Sequence, residues 1–135
     1  MFFLITMHDT TTNVSQLKVC VDRFTKERNW GKHHTLKNLA LSIAIEAAEL
    51  MEHFQWDDLQ SEDKEGIRNE LADVMIYCLH FANVSGIDIA RAIEIKLEKL
   101  AIKYPAELFS SGKAGSKEFW EIKKAYRAKR ETDIV

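Results

Sequence analysis

The sequence predicts an all-α fold, and three observations carry that reading. The chain holds one proline and five glycines in 135 residues, too few breakers for the frequent turns of an all-β protein. Apolar residues recur at helical spacing in successive segments, with Leu17, Val21 and Phe24 at i, i+4 and i+7 as the first case. No stretch alternates convincingly with period two. At this length one domain with a real core is expected.

The elements follow in order. Residues 1–13 read as a flexible or contact arm. The start, MFFLITMHD, lacks a basic leader region and is too short to span a bilayer. Ser15 is the expected cap of a first helix, and ERNWGKHH at residues 27–34 interrupts the pattern as a loop. Thr35 is placed to cap a second helix over about residues 35–56, with Leu39, Ile43, Ala47 and Leu50 on one face. Ser61, followed by Glu62, Asp63 and Glu65, marks the start of a third helix, because negative charge favours a helix N-terminus. That helix carries Ile67, Leu71, Val74 and Cys78 and should stop at Gly86. Asp88 then caps a fourth helix with Ile89, Ile93, Leu97 and Leu100, ended by Lys103, Tyr104 and Pro105. SSGKAGS at residues 110–116 reads as a connector before a basic helix over residues 117–130. The expected division is a helical catalytic domain over 14–109, then a linker and basic C-terminal helix over 110–135. Short loops make sequential helices antiparallel neighbours in a four-helix bundle.

Composition excludes some function classes. The net charge is −2, with 46% hydrophobic and 30% charged residues, so no bulk basic field recruits a nucleic acid polymer or an acidic membrane. Cys20 and Cys78 sit in apolar patterns without CxxC spacing and read as buried thiols in a reducing cytosol, which places the protein in the cytoplasm.

The chemistry lies in two short runs, EAAEL at 46–50 and ELADV at 70–74. Residues three apart are neighbours on a helix, so Glu46 projects with Glu49, and Glu70 with Asp73. The spacer lets one helix end and the next return antiparallel, bringing the two pairs face to face. Four converging carboxylates repel unless cations sit between them. Hard oxygen donors, with no thiolate or imidazole at ligand spacing, suit Mg2+ or Mn2+. A di-iron bundle would instead show Glu-x-x-His on two helices. Magnesium keeps open positions for phosphate oxygens, so a polyphosphate ester is the natural ligand. The plain alternative is that these acids face solvent on the polar sides of their helices. Tyr77 and His53 share the acidic faces, and Lys96 interrupts the apolar pattern of the fourth helix as a phosphate-binding candidate. Trp30 and Trp56 bracket the second helix, with Phe24 nearby, and are candidates either for base stacking or for the core.

The runs FTKERNW, HHTLKNLALSIAIEAAELMEHFQW, RNELADVMIYCL and KLEKLAIKYP together resemble the MazG-like nucleoside triphosphate pyrophosphohydrolases, with the all-α dCTP pyrophosphatase branch nearest. The similarity runs from about Phe24 to Pro105. It implies a four-helix MazG-like bundle with an additional C-terminal helix, assembled as a homodimer or homotetramer. It also implies Mg2+-dependent hydrolysis of a (deoxy)nucleoside triphosphate to the monophosphate and pyrophosphate, with dCTP or a related pyrimidine preferred. Glu46, Glu49, Glu70 and Asp73 match the family's metal-binding acids, with Glu46 or Glu49 also acting on the attacking water. Trp30 and Trp56 match aromatics that sandwich the base, and Tyr77, Lys96 and Tyr104 match residues near the nucleotide. His34 and Asn38 fall in the family's His-x-Pro-x-Asn segment, although Leu36 replaces the proline. Val21 and Leu100 stand where dCTP-specific relatives carry His and Asn, which implies looser or different base choice. The competing readings are a non-catalytic nucleotide-binding or regulatory helical module, and a structural bundle whose acids face water.

Overall fold

The structure, a computed structural model, describes residues 6–56, 63–110 and 115–132, and among these it is helical with no strand. Six helices follow one another: α1 (Val14–Glu27), α2 (Leu36–Glu52), α3 (Lys64–Ser85), α4 (Ile89–Lys103), α5 (Ala106–Ser110) and α6 (Ser116–Thr132). A 3-10 turn at Trp30–Lys32 lies between α1 and α2.

Local chemistry explains most boundaries. The cap of α1 is Asn13 rather than Ser15. Its side chain accepts from the Gln16 backbone N–H at 3.0 Å, and Gln16 Oε1 accepts from the Asn13 backbone N–H at 2.8 Å. That reciprocal pair satisfies two orphan donors, which a serine cap alone would not do. Thr35 caps α2 as expected, accepting from the Asn38 N–H at 3.2 Å. The helix ends at Glu52, one turn before Trp56. Ser61 lies outside the described residues. Asp63 is the cap of α3, accepting from the Gly66 N–H at 2.8 Å. Gly86, at φ 69°, closes α3 in the left-handed conformation that glycine adopts without strain. The fourth helix stops ahead of Tyr104 and Pro105 as predicted, but α5 follows at once and was not foreseen.

The chain divides into two compact units, Met1–Ile89 and Ala90–Val135. In the first, α2 packs extensively on α3, and α1 packs on α3 as well. His34, just ahead of α2, bonds to His80 late in α3. Glu49, near the end of α2, lies beside Glu70, early in α3. The two helices are therefore antiparallel. Two bonds tie α1 to the far end of α3: Asn83 Nδ2 donates to the Lys18 carbonyl at 2.9 Å, and Lys18 Nζ donates to the Ile87 carbonyl at 3.0 Å. The core is small. Leu39 from α2 is 0% exposed, and Val21 from α1 with Leu79 and Ala82 from α3 complete the buried apolar set among the described residues. Thr25 is buried too, with its hydroxyl donating to the Asp22 carbonyl at 2.9 Å.

The second unit holds most of α4 with α5 and α6. Tyr104 stacks on Phe119 with centroids 5.4 Å apart and planes 16° apart. The Lys103 ammonium sits 3.9 Å from the Tyr126 ring centroid, and that of Lys123 4.8 Å from Trp120. The Tyr104 and Lys103 contacts join α6 to the end of α4, while the Lys123 contact lies within α6.

Candidate functional site

Three of the four predicted acids come together across the two helices. One carboxylate oxygen from each of Glu46, Glu49 and Glu70 lies within 4.8 Å of the others. Two of the three come from α2 and one from α3, so the cluster exists only because those helices pack antiparallel. Glu46 and Glu70 are half-buried and Glu49 is exposed. Asp73, the fourth predicted ligand, is half-buried on α3 and stands outside this set of three. It is nevertheless close enough to act on Glu46. Burial, followed by repulsion from Glu49, Asp73 and Glu70, pushes the Glu46 carboxyl above its ordinary value of 4.5. Two unit charges about 4 Å apart repel by about 1 kcal/mol in bulk water and by several-fold more in drier surroundings. The fold therefore holds a local concentration of negative charge that a cation would relieve.

The donor set fits a hard divalent ion. An octahedral Mg2+ about 2.1 Å from each ligand sets neighbouring oxygens about 3 Å apart and opposite ones about 4.2 Å apart. Three carboxylate oxygens within 4.8 Å of one another are of the spacing such an ion would need. A cavity of about 400 Å3, lined by Glu49, Glu52, His53 and Glu70, opens beside the cluster. His53 Nδ1 lies 4.0 Å from Asp63 Oδ2, so the α3 cap also faces an imidazole of the cavity wall. Glu52 was not singled out from sequence. Its signal was there, since it continues the Glu46, Glu49 spacing by three more residues.

The predicted nucleotide contacts divide into groups. Phe24, Trp30 and His34 form a chain of rings. Trp30 meets Phe24 edge-on at 5.6 Å and His34 edge-on at 5.8 Å. The Arg28 guanidinium lies 3.6 Å over the Phe24 ring. Asn38 donates its side-chain N–H to the His33 carbonyl at 2.8 Å, which pins the loop carrying Trp30. His34 turns Nδ1 toward His80 Nε2 at 2.8 Å. His80 was missed, and no short-range pattern marked it. Tyr77 is half-buried one turn after Asp73. Trp56 is 91% exposed just beyond α2. Lys96, exposed on α4, and Tyr104, stacked on Phe119, belong to the second unit.

Comparison with known proteins agrees with this helical frame. Among curated proteins, the chain is 33% identical over 93 residues to "dCTP pyrophosphatase 1" of Rattus norvegicus, covering 63% of this chain and 55% of that protein. It is 29% identical over 107 residues to the Homo sapiens protein of the same name, covering 73% and 61%. The chain thus spans between 55% and 61% of the length of these two relatives. Among solved structures, a pyrophosphatase from Archaeoglobus fulgidus DSM 4304 matches with a TM-score of 0.65 at 38% identity, over 74% of this chain and 99% of that one. A model of the MazG-like family matches residues 41–119, which include most of α2, all of α3 and the three clustered glutamates, and the chain belongs to the MazG-like family.

Proposed function

We propose that the protein hydrolyses (deoxy)nucleoside triphosphates to the monophosphate and pyrophosphate with Mg2+, as nucleotide-pool housekeeping in the cytoplasm. The observation that carries this reading is the convergence of Glu46, Glu49 and Glu70 oxygens from two antiparallel helices. The names of the relatives support the same reaction class.

Glu46, Glu49, Glu70 and Asp73 would hold the metal, with Mn2+ as a substitute. When bound, the ion supplies charge neutralisation at the triphosphate oxygens and a more acidic water. Glu49, exposed on the cavity wall, orients a water against the α-phosphorus and accepts its proton. The water oxygen bonds to phosphorus as the α–β bridging oxygen departs with pyrophosphate, and the proton passes from Glu49 to solvent. Trp30 and Trp56 stack on the base, with Phe24, His34 and Asn38 supporting the Trp30 side. Tyr77, one turn after Asp73, would reach the sugar or phosphates, and Lys96 and Tyr104 are proposed as nucleotide contacts on the resemblance to the family alone. Val21 is a core residue, so the position of the family's histidine offers no polar group to a base edge. A preference among pyrimidines is accordingly weak, with dCTP the first substrate to test. Large apolar side chains exposed on α2 and α3, among them Leu41, Ile45, Leu71 and Met75, support assembly as a homo-oligomer.

The test is pyrophosphate release from a panel of nucleoside triphosphates with Mg2+. Turnover by the wild type is expected, with losses of about a hundredfold or more in Glu49→Ala and Asp73→Ala. Full activity in both variants rejects the assignment. Mg2+-dependent nucleotide binding without turnover would identify a non-catalytic module instead.

A further inference from the structure

Outside the acidic cluster, the first unit contains a pair of imidazoles, His34 beside Trp30 and His80, of which the proposed reaction leaves His80 without a role. His80 is 5% exposed on α3. Its Nε2 lies 2.8 Å from His34 Nδ1, and the rings meet edge to face at 4.7 Å and 71°. Its other nitrogen, Nδ1, is buried and finds no hydrogen-bond partner among the described residues.

That asymmetry decides the proton. One hydrogen bridges the two rings, so one nitrogen donates and the other accepts. An orphaned buried N–H is rarer than an under-used acceptor. The favoured tautomer of His80 therefore leaves Nδ1 bare and puts the proton on Nε2, which donates to His34 Nδ1. A ring nitrogen's protonation follows from the bond its partner nitrogen makes. His34 then carries its own proton on Nε2.

Position gives the pair a consequence. His34 sits between the 3-10 turn and the Thr35 cap, and its ring abuts Trp30 at 5.8 Å. The other supports of Trp30 are local in sequence: Phe24 six residues earlier, and Asn38 holding the His33 carbonyl. The bond to His80 instead spans 46 residues and ties this loop to α3, the helix that carries Glu70 and Asp73. We propose that His80 is a positioning residue for base recognition: through His34 it fixes the Trp30 ring relative to the acids of α3. This rests on the nucleotide reading above and adds a residue that touches no substrate. A leucine at 80 keeps the volume and removes the bond. A glutamine keeps an N–H that can donate to His34.

The experiment measures kcat and KM for dCTP and for base-free 2-deoxyribose 5-triphosphate in the wild type, His80→Leu and His80→Gln. His80→Leu is expected to raise the KM for dCTP about tenfold, the scale of a weakened base stack, with kcat within about twofold. The base-free substrate is expected to be unaffected and His80→Gln to recover most of the loss. Equal losses on both substrates would mean a merely structural role, and an unchanged KM for dCTP, or a glutamine variant no better than leucine, would equally overturn the proposal. A nitrogen-15 correlation spectrum of the wild type needs no variant to fold. It should show His80 protonated at Nε2, and protonation at Nδ1 instead overturns the coupling. A wild type that hydrolyses no nucleoside triphosphate removes the nucleotide reading and this proposal with it, whereas the outcomes above, in a wild type that does, remove this proposal alone.

Discussion

Glu46 is the residue where fold stability and metal binding pull in opposite directions. It is half-buried, and its neighbours Glu49, Asp73 and Glu70 all oppose its charge. Without metal, that charge is a local cost, reduced by the water that reaches Glu49. Glu46→Gln keeps the shape and deletes the repulsion. It is expected to stabilise the metal-free protein by about 1 kcal/mol, since partly solvated charge interactions seldom exceed that. In thermal unfolding this is a rise of about 2–6 °C for a chain of this size. Added Mg2+ should reverse the order. A ligand at a hundred times its dissociation constant stabilises by about 2.7 kcal/mol, and the glutamine variant should lose most of that gain. Scanning calorimetry with and without Mg2+ checks both signs. A variant less stable than wild type in the absence of metal would show that the acids are not in mutual repulsion.

At the scale of the element, the helices most readable in the sequence were those with strong end signals. Thr35 acts through its own hydroxyl, and Gly86 and the Tyr104–Pro105 pair through their own backbone geometry, so their positions could be read one residue at a time. Asn13 displaced Ser15 because Gln16 completes a two-way cap, a cooperation between residues that a single-residue preference does not register. The end of α2 was less readable, because His53 to Trp56 contains no glycine or proline to stop a helix. The acid pairs were legible because a spacing of three on a helix is a local rule. His34 and His80 were not, since their meeting depends on the register between α2 and α3. The first turn of α3 offers a test at this scale. Replacing a glycine by alanine within a helix gains up to about 1 kcal/mol. At Gly66 a Cβ would overlap the Asp63 carboxylate and the His53 ring. Asp63 would have to leave its cap, at a cost of about 1 kcal/mol. Gly66→Ala is therefore expected to leave stability within about 0.5 kcal/mol of wild type, the two terms cancelling. It should also widen the 4.0 Å approach of His53 to Asp63. A denaturant titration showing the full alanine gain would mean that the cap and the imidazole yield freely.

At the scale of the molecule, the buried apolar set is short for the number of large apolar side chains the chain carries. Leu39, Val21, Leu79 and Ala82 are buried, while Leu41 and Ile45 on α2 and Leu71 and Met75 on α3 remain exposed. Each of these exposed pairs repeats at i, i+4, so each forms a stripe on its helix rather than a scatter of single residues. Exposed apolar stripes of this kind mark interaction surfaces more often than chance exposure. The occupant that fits with fewest assumptions is a second copy, because a two-fold contact pairs the same stripe with itself. Sedimentation at micromolar concentration is expected to give a mass of at least twice the 15.6 kDa chain. Ile45→Lys places a charge in the α2 stripe, where self-pairing would oppose lysine to lysine. That variant is expected to sediment near 15.6 kDa. Its helical circular dichroism should change little, because Ile45 is not among the buried core residues. If the wild type itself runs as a 15.6 kDa species, the stripes are not a self-association surface.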